Sequence, residues 1–512
     1  MRNAHQVTDV RAAESALLAR VPDGALMQRA SAGLASVCAR LLGQVYGSRV
    51  VILAGTGDNG GDALYAGALL ARRGAVVTAV TTGSHAHQGG VTALRDSGGR
   101  LAGLPAAGLI ESADLIIDGI LGIGGRGGLR EPAASLAARA SAAGALVVAA
   151  DLPSGIDADT GEVAGAAVRA DVTVTFGTWK PGLLIDPGAA HAGAAELIDI
   201  GLGPYLAPAA AAALQTADVA ALLPRPAAES DKYRRGVLGI LAGSSRFTGA
   251  AYLAVGGAVR GGAGMIRLVT AEQAAAVVRQ HWPEAVLTVA GDEVPAAQVV
   301  EQAGQVQAWV AGPGFGTQPS SAMLLAEVLS SGLPVLVDAD GITLLASRRE
   351  LLPRPAPTLI TPHAGELARL LGVDRAAVEA RRLEHARKAA AELGVTVLLK
   401  GSTTVIATAS GSPPVLVNST GTSWLATAGS GDVLSGLAGA LLAQGLAPPE
   451  AAAVGAYLHG LAGRLAATGA TGATGGAAPG ASSRLSLGAP IGAADLIGAL
   501  PAAIRLAAAG AG

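Results

Sequence analysis

From Ser48 to Thr82 the chain reads SRVVILAGTGDNGGDALYAGALLARRGAVVTAVTT. A β-branched run at 50–53 leads into a glycine-rich turn. An amphipathic helical pattern follows, closed by Gly74, and a second β-branched run starts at Ala75. Strand, turn, helix and strand in that order form a βαβ unit, whose two strands must run parallel because a helix carries the chain back. Parallel strands are buried on both faces, so the unit predicts an α/β layer fold. Helical spacing precedes it over residues 10–46, with Leu17, Leu18, Leu26, Met27 and Leu34 among small residues.

Gly55, Gly57 and Gly60 match GxGxxG, a dinucleotide fingerprint. The second strand, AVVTAVTTG, ends without the Asp or Glu that would hold a ribose, which disfavours an NAD-dependent dehydrogenase. Asp58, Asn59 and Asp62 crowd the glycine-rich loop, and their oxygens suit a hard cation or ribose hydroxyls. Asp118 follows the apolar run of ADLIIDGILGIGGRGGLREP, which also carries Arg126. Asp151 follows that of GALVVAADLPSGIDADTG, with Ser154 and Asp157 next. Ligands of open parallel sheets bind beyond the carboxyl ends of strands, so Asn59, Asp118 and Asp151 are expected on one edge.

Four prolines and an alanine run over residues 203–230 mark a boundary between two domains, 1–215 and 225–512. The second half repeats the grammar of the first. AWVAGPGFG ends a strand in a glycine turn, and LPVLVDADGITLL sets Asp338 and Asp340 at a strand end. PTLITPHAGELARLLG places His363 and Glu366 between strand and helix, where capping is a sufficient role for both. VTVLLKGSTTVIA ends a strand at Lys400, and Gly401, Ser402, Thr403 and Thr404 complete a credible phosphate cradle that lacks the P-loop pattern. In TAGSGDVLSGLAGALLAQG, residues 427–445, Gly429, Ser430 and Gly431 open a helix whose amides attract phosphate. Asp432 is then either a helix cap or a base for a hydroxyl that attacks phosphorus.

Composition narrows the classes. The 512 residues include 36 Lys+Arg and 38 Asp+Glu, a net charge of −2, which gives no footprint for nucleic acid. Mean hydropathy is +0.46, yet no strongly apolar run of about 18 residues appears, so no membrane span is expected. Cys38 is the only cysteine, which excludes an internal disulfide framework or a cysteine metal cluster. The start, MRNAHQVTDVRAAE, lacks a signal peptide's apolar core, so a soluble cytoplasmic protein is the expectation. The segment ATGATGATGGAAPGASS, 467–483, cannot bury enough surface to fold and reads as a flexible loop.

Over residues 8–203, GTGDNGGDALYA, IDGILGIGGRGG, DLPSGIDADTG and VTFGTWKPGLL together resemble the NAD(P)H-hydrate epimerase domain. The resemblance implies a Rossmann-like sheet and interconversion of the R and S hydrates of NADH and NADPH. It implies a potassium ion on Asn59, Asp118 and Ser154, and Asp151 beside the reacting ring as acid/base. Asp58, Asn59, Gly60, Gly61 and Asp62, with Gly122, Ile123, Gly124, Gly125, Arg126, Gly127 and Gly128, would line the substrate.

From about residue 225 onward, GPGFG, VDADGITLL, TPHAGELARLLG, LLKGSTTVI and TAGSGDVLSGLAGALLAQG resemble the ADP/ATP-dependent NAD(P)H-hydrate dehydratases. That implies a ribokinase-like fold, with Lys400, Gly401, Ser402, Thr403, Thr404 and Gly431 on the nucleotide. Ala251, Gly314, His363 and Asp432 would contact the hydrate, with Asp432 as base. ADP with magnesium is the implied phosphoryl donor, only the S hydrate is the implied substrate, and a homo-oligomer is the implied assembly. The competing reading is a ribokinase-like kinase for a vitamin precursor or sugar, fused to a non-catalytic Rossmann-like module.

Overall fold

A computed structural model describes residues 1–83, 85–104, 107–291, 294–411, 414–469 and 488–510. The Ala- and Gly-rich segment expected to be a flexible loop lies, from residue 470 on, outside the described residues. Contacts divide the chain into two units, one holding Asn3–Ala211 and the other Met1–Arg2 with the chain from Ala212.

The first unit is built on a seven-stranded sheet. Its order is Arg100–Ala102, Val76–Thr81, Arg49–Ala54, Leu115–Gly119, Leu146–Ala150, Val172–Phe176 and Ala194–Ile198, every neighbouring pair being parallel. The chain winds outward from Arg49–Ala54 in one direction, then returns to Leu115–Gly119 and winds outward in the other. The switch point between these strands is where such sheets open a crevice. Alternation along the strands separates two cores. Val50 and Ile52 pack with Leu34 of helix Ala25–Leu42 and with Leu64 and Leu70 of helix Asp58–Arg72. Val51 and Leu53 pack on the other face with Leu136 and Ala140 of helix Ala133–Ala142.

Two local differences from the sequence reading have clear causes. The helical spacing of residues 10–46 is two helices, Val7–Leu18 and Ala25–Leu42, because Pro22 and a left-handed Gly24 at φ 78° turn the chain between them. Asp58, Asn59 and Asp62 belong to helix Asp58–Arg72, whereas the sequence pattern put them in a glycine-rich loop. The glycines permit this: a Cβ on Gly55 would stand 1.9 Å from the Ile120 carbonyl oxygen.

In the second unit, parallel pairing runs through Thr396–Leu399, Thr358–Ile360, Val335–Val337, Ala308–Ala311, Val237–Leu241, Met265–Thr270 and Val286–Val289. An antiparallel extension, Thr404–Ala407 and then Val415–Asn418, follows Thr396–Leu399. Helix Ser430–Ala443 lies in the middle of the core, with residues 433–443 all buried. It crosses helix Thr248–Arg260 at backbone contact, since a Cβ on Gly436 would stand 1.9 Å from the Ala254 carbonyl oxygen. The stretch read as a boundary is partly ordered here. Ala211–Ala213 is a buried strand, and Thr216–Leu222 is a helix closed by the reciprocal bonds of Gln215 and Asp218.

Candidate active sites

In the first unit three strand ends deliver the expected oxygens. Asp118, the fourth residue of Leu115–Gly119, is fully buried. Its carboxylate accepts from the Ser154 hydroxyl at 2.7 Å, the Ser154 amide at 2.8 Å and the Ile120 amide at 3.2 Å. Burial pushes its pKa up to about 6, against those bonds, which favour the charge. The Ser154 hydroxyl also accepts from the Leu121 amide at 2.8 Å, tying this turn to the glycine loop. Asn59 closes the group, since a Cβ on Gly122 would stand 3.2 Å from its Oδ1. Both polar atoms of the Asn59 side chain are buried and have no hydrogen-bond partner among the described residues. An orphaned amide is costly to bury, and the donor set around it (amide, carboxylate and hydroxyl oxygens) fits a hard cation such as potassium.

Asp151 follows Leu146–Ala150 in left-handed backbone, φ 63°, a conformation that is strained for a residue with a Cβ. Its Oδ1 accepts from Lys180 Nζ at 2.5 Å, the Thr175 hydroxyl at 3.1 Å and the Phe176 amide at 3.3 Å. Lys180 is 1% exposed and also donates to the Thr175 hydroxyl and the Phe176 carbonyl. Asp62 faces this charge: burial, then Asp151, Asp58 and Glu14, push it up to about 8. Burial and then Asp151 raise Glu14 too, with Lys180 and Arg11 opposing.

The remaining expected residues of this site form its rim. Asp58 is exposed in the first helical turn, and Gly60 and Gly61 are buried behind it, Gly61 against the His87 ring. In the 122–128 loop Arg126 is exposed, Gly127 is left-handed, and Gly128 packs on the Gly165 backbone. Arg11 of helix Val7–Leu18 reaches Gly124, where a Cβ would meet its Nη2 at 3.3 Å.

The sequence reading gave Lys180, Thr175, Arg11 and Glu14 no role. Lys180 and Thr175 were accessible to it, because VTFGTWKP ends a strand as the Asp118 and Asp151 motifs do. Arg11 and Glu14 lie on a helix before the first βαβ unit and carry no local signal.

In the second unit the centre is Asp338, just past Val335–Val337 and fully buried. Its Oδ1 accepts from Lys400 Nζ at 2.7 Å and its Oδ2 from the Ser435 hydroxyl at 2.6 Å. Burial works against the Lys400 charge, but Asp338, Glu366 and Asp432 outweigh it and raise the pKa. About a fifth of the Lys400 side chain (21%) remains exposed, so the ammonium can still face a ligand. The turn from Lys400 to Thr403 is held from beneath by Arg382, whose Nη2 donates to the Leu399, Lys400 and Thr403 carbonyls. Gly401 and Ser402 are exposed, whereas Thr403 and Thr404 are buried.

The glycine turn ahead of the central helix comes to the same place. Gly429 is left-handed at φ 86° and occupies the cap, so Asp432 is the third helical residue and does not cap. A Cβ on Gly431 would stand 3.3 Å from Lys400 Nζ. The Ser430 hydroxyl donates to the Leu425 and Thr427 carbonyls, and buried His459 holds the Ser430 carbonyl at 2.9 Å. Burial pushes the His459 pKa down to about 4, so the ring is a neutral donor. The Asp432 amide donates to the Gly429 carbonyl at 3.1 Å, but its carboxylate makes no hydrogen bond or ion pair among the described residues. Burial and then Asp338 push it up to about 7, while Lys400 opposes.

His363 does cap: its Nδ1 accepts from the Gly365 and Glu366 amides, and Glu366 bonds back to the His363 amide. Its ring is nonetheless exposed and lies within electrostatic reach of Lys400 and Asp338. Gly314 packs on Ala250 and Phe247, whereas Ala251 is fully buried against Gly243 and exposes no surface here.

Each unit is thus an α/β domain on a wholly or largely parallel sheet, with an acid–lysine centre at the carboxyl ends of its parallel strands, and the chain has the make-up of a two-site enzyme. Residues 23–182 match the family profile described as YjeF-related protein N-terminus, and residues 238–480 match that of NAD(P)H-hydrate dehydratase. The chain is 49% identical over 459 residues to the bifunctional NAD(P)H-hydrate repair enzyme Nnr of Mycobacterium tuberculosis H37Rv, covering 88% of this chain and 92% of that one. The Nnr of Mycobacterium leprae is 47% identical over 473 residues, 91% of this chain and 94% of that one. A solved ADP/ATP-dependent NAD(P)H-hydrate dehydratase from Bacillus subtilis, co-crystallised with ATP and Mg2+, is 32% identical, with TM-score 0.48, over 57% of this chain and 96% of that one. The chain belongs to the family of bifunctional NAD(P)H-hydrate repair enzymes.

Proposed function

We propose that domain 1–215 interconverts the R and S hydrates of NADH and NADPH, and that ribokinase-like domain 225–512 dehydrates the S form with ADP. The observation that carries the reading is Asp432, an unpartnered carboxylate with its pKa near 7, one residue from the glycine amides and close to Lys400. A general base works best when its pKa lies near the working pH.

Asp432 takes the proton of the ring hydroxyl, and the freed oxygen bonds to the terminal phosphorus of ADP as the bond to AMP breaks. Lys400 and the amides of residues 429–431 hold the transferring phosphoryl group. The ring nitrogen then expels phosphate, and loss of the neighbouring ring proton restores the double bond. Water in the hydrate ends up in inorganic phosphate, and ADP ends up as AMP. Among the described residues no three His, Cys, Asp or Glu side chains gather into a metal cage. That suits magnesium brought in on the diphosphate, where it neutralises charge.

In the first domain Asp151 takes the proton of the ring hydroxyl as that carbon's bond to the ring nitrogen breaks and the nitrogen is protonated. Reclosure of the nitrogen on the other face of the carbonyl reverses the transfers, and Lys180 holds Asp151 in place. Asn59, Asp118 and Ser154 would hold potassium, which would satisfy the orphaned Asn59 oxygen and fix the two glycine loops together. Among the described residues no helix is long and apolar enough to cross a membrane. A cytoplasmic homo-oligomer acting on small molecules alone completes the reading.

The test is a mixture of R and S NADPH hydrate with ADP and magnesium, followed by the near-ultraviolet absorbance of reduced nicotinamide. Full recovery that disappears in Asp432→Asn supports both activities and the base. Recovery of the S share alone overturns the epimerase, and no recovery with ADP or ATP overturns the dehydratase.

A further inference from the structure

We propose a second anion site in the C-terminal unit, apart from the Asp338–Lys400 centre, that takes a small molecule bearing two or more phosphate groups. A cavity of about 510 Å3 is bordered by five guanidinium groups, those of Arg225, Arg234, Arg235, Arg260 and Arg505, and by no carboxylate side chain. The chain as a whole has net charge −2, so this concentration of one sign is local. Like charges gathered without counter-charge repel, and an anion between them removes the repulsion.

Local contacts account for only part of the cluster. Arg235 donates to the Gly262 carbonyl at 3.2 Å, and Arg260 lies over the Trp282 ring at 5.9 Å. Both suit the carbonyl-rich end of helix Thr248–Arg260. Arg234 donates to the Glu229 carbonyl at 3.4 Å and reaches the exposed Asp231 at 3.8 Å. Arg225 and Arg505 have no hydrogen bond, ion pair or ring contact among the described residues. Guanidinium forks match phosphate oxygens two at a time, which an ammonium cannot do. Leu441, Leu458 and Ile504 make one wall apolar, and the volume falls in the range of small-molecule pockets, so a nucleoside di- or triphosphate fits the chemistry. The cavity is not the catalytic one. From Asp432 to Leu441 the central helix rises roughly 14 Å, which sets the two at opposite ends of it.

The experiment is calorimetric titration of the full chain with inorganic tripolyphosphate, in wild type, in Arg225→Ala/Arg505→Ala and in Lys400→Ala. The expected result is two binding events in wild type. The double arginine variant should lose one of them, weakened at least tenfold, while keeping its melting temperature and dehydratase KM. Lys400→Ala should lose the other. Arg225→Lys/Arg505→Lys keeps the charge without the fork and should fall between. A single event in wild type, or an isotherm unchanged in the double arginine variant, overturns the site. So does a double variant that changes only its oligomeric state, since the cavity would then receive a second copy of the chain.

Discussion

Asp338→Asn separates the two roles assigned to the buried carboxylate of the C-terminal unit. The amide is isosteric, so its oxygen can still accept from Lys400 and its nitrogen can donate to the Ser435 hydroxyl; the charge is what disappears. Removing one partner of a buried ion pair costs about 3–5 kcal/mol. Here the lower end applies, because Glu366 and Asp432 still face the ammonium. At roughly 2–4 °C per kcal/mol for a domain of this size, a loss of about 3 kcal/mol lowers the melting temperature of the unit by roughly 6–12 °C. The second effect concerns the base. Asp338 is the largest charge contribution holding Asp432 up at about 7, so its removal moves the Asp432 pKa down. A base titrating at about 7 is roughly one tenth as active at pH 6 as at pH 8, so the wild-type ratio of kcat/KM at those two values should be about 0.1. In the variant that ratio should rise. A folded variant with an unchanged or smaller ratio would refute the assignment of Asp432 as the titrating base under the influence of Asp338.

Four further outcomes are expected. Asp62 has its folded pKa raised to about 8, so the folded N-terminal unit binds a proton that the unfolded chain has lost; stability from this group is present below about pH 4 and is lost as pH rises through about 8. Denaturant midpoints should fall across that window, and Asp62→Asn should flatten the decline. Asn59→Ala should raise the potassium concentration needed for epimerisation, by at least the roughly tenfold typical of an outer-shell partner, and an unchanged potassium response would remove Asn59 from the site. Gly436→Val should cost about 3 kcal/mol or more in chemical denaturation, because the added atoms meet the Ala254 backbone. Gly498→Ala, in open space on helix Ala493–Ala509, should instead stabilise by about 0.5–1 kcal/mol.

The parallel α/β architecture was legible because each strand end carries its own punctuation: a β-branched run, then glycines, then an acid. Asn59, Asp118 and Asp151 could therefore be placed on one edge from order alone. Legibility failed where a role depends on a partner far away in the chain. Nothing local in VDADG says that Asp338 is fully buried between Lys400 and Ser435, or that Arg382 fastens the Lys400 turn from below. The cap alternative for Asp432 also needed coordinates, since whether Gly429 or Asp432 closes the helix depends on one left-handed residue. Boundaries slipped for a similar reason. Glycine is a poor helix former in general, yet Gly60 and Gly61 belong to a helix, because close approach to the neighbouring loops excludes any side chain there.

Helix Ser430–Ala443, enclosed along residues 433–443, also sets how the C-terminal unit can fail. The carboxylate proposed as the base stands on the first turn of an element whose residues 433–443 have no solvent-facing side to absorb change. Damage anywhere along it, from a packing defect to an oversized replacement, is transmitted to Asp432 as displacement. Thermal inactivation of dehydration should then coincide with loss of the unit's tertiary structure, with no phase in which a folded unit has lost its activity. The N-terminal site, assembled from loops and the exposed rim of Asp58 and Arg126, has the opposite character and can lose its grip on a ligand while its sheet persists.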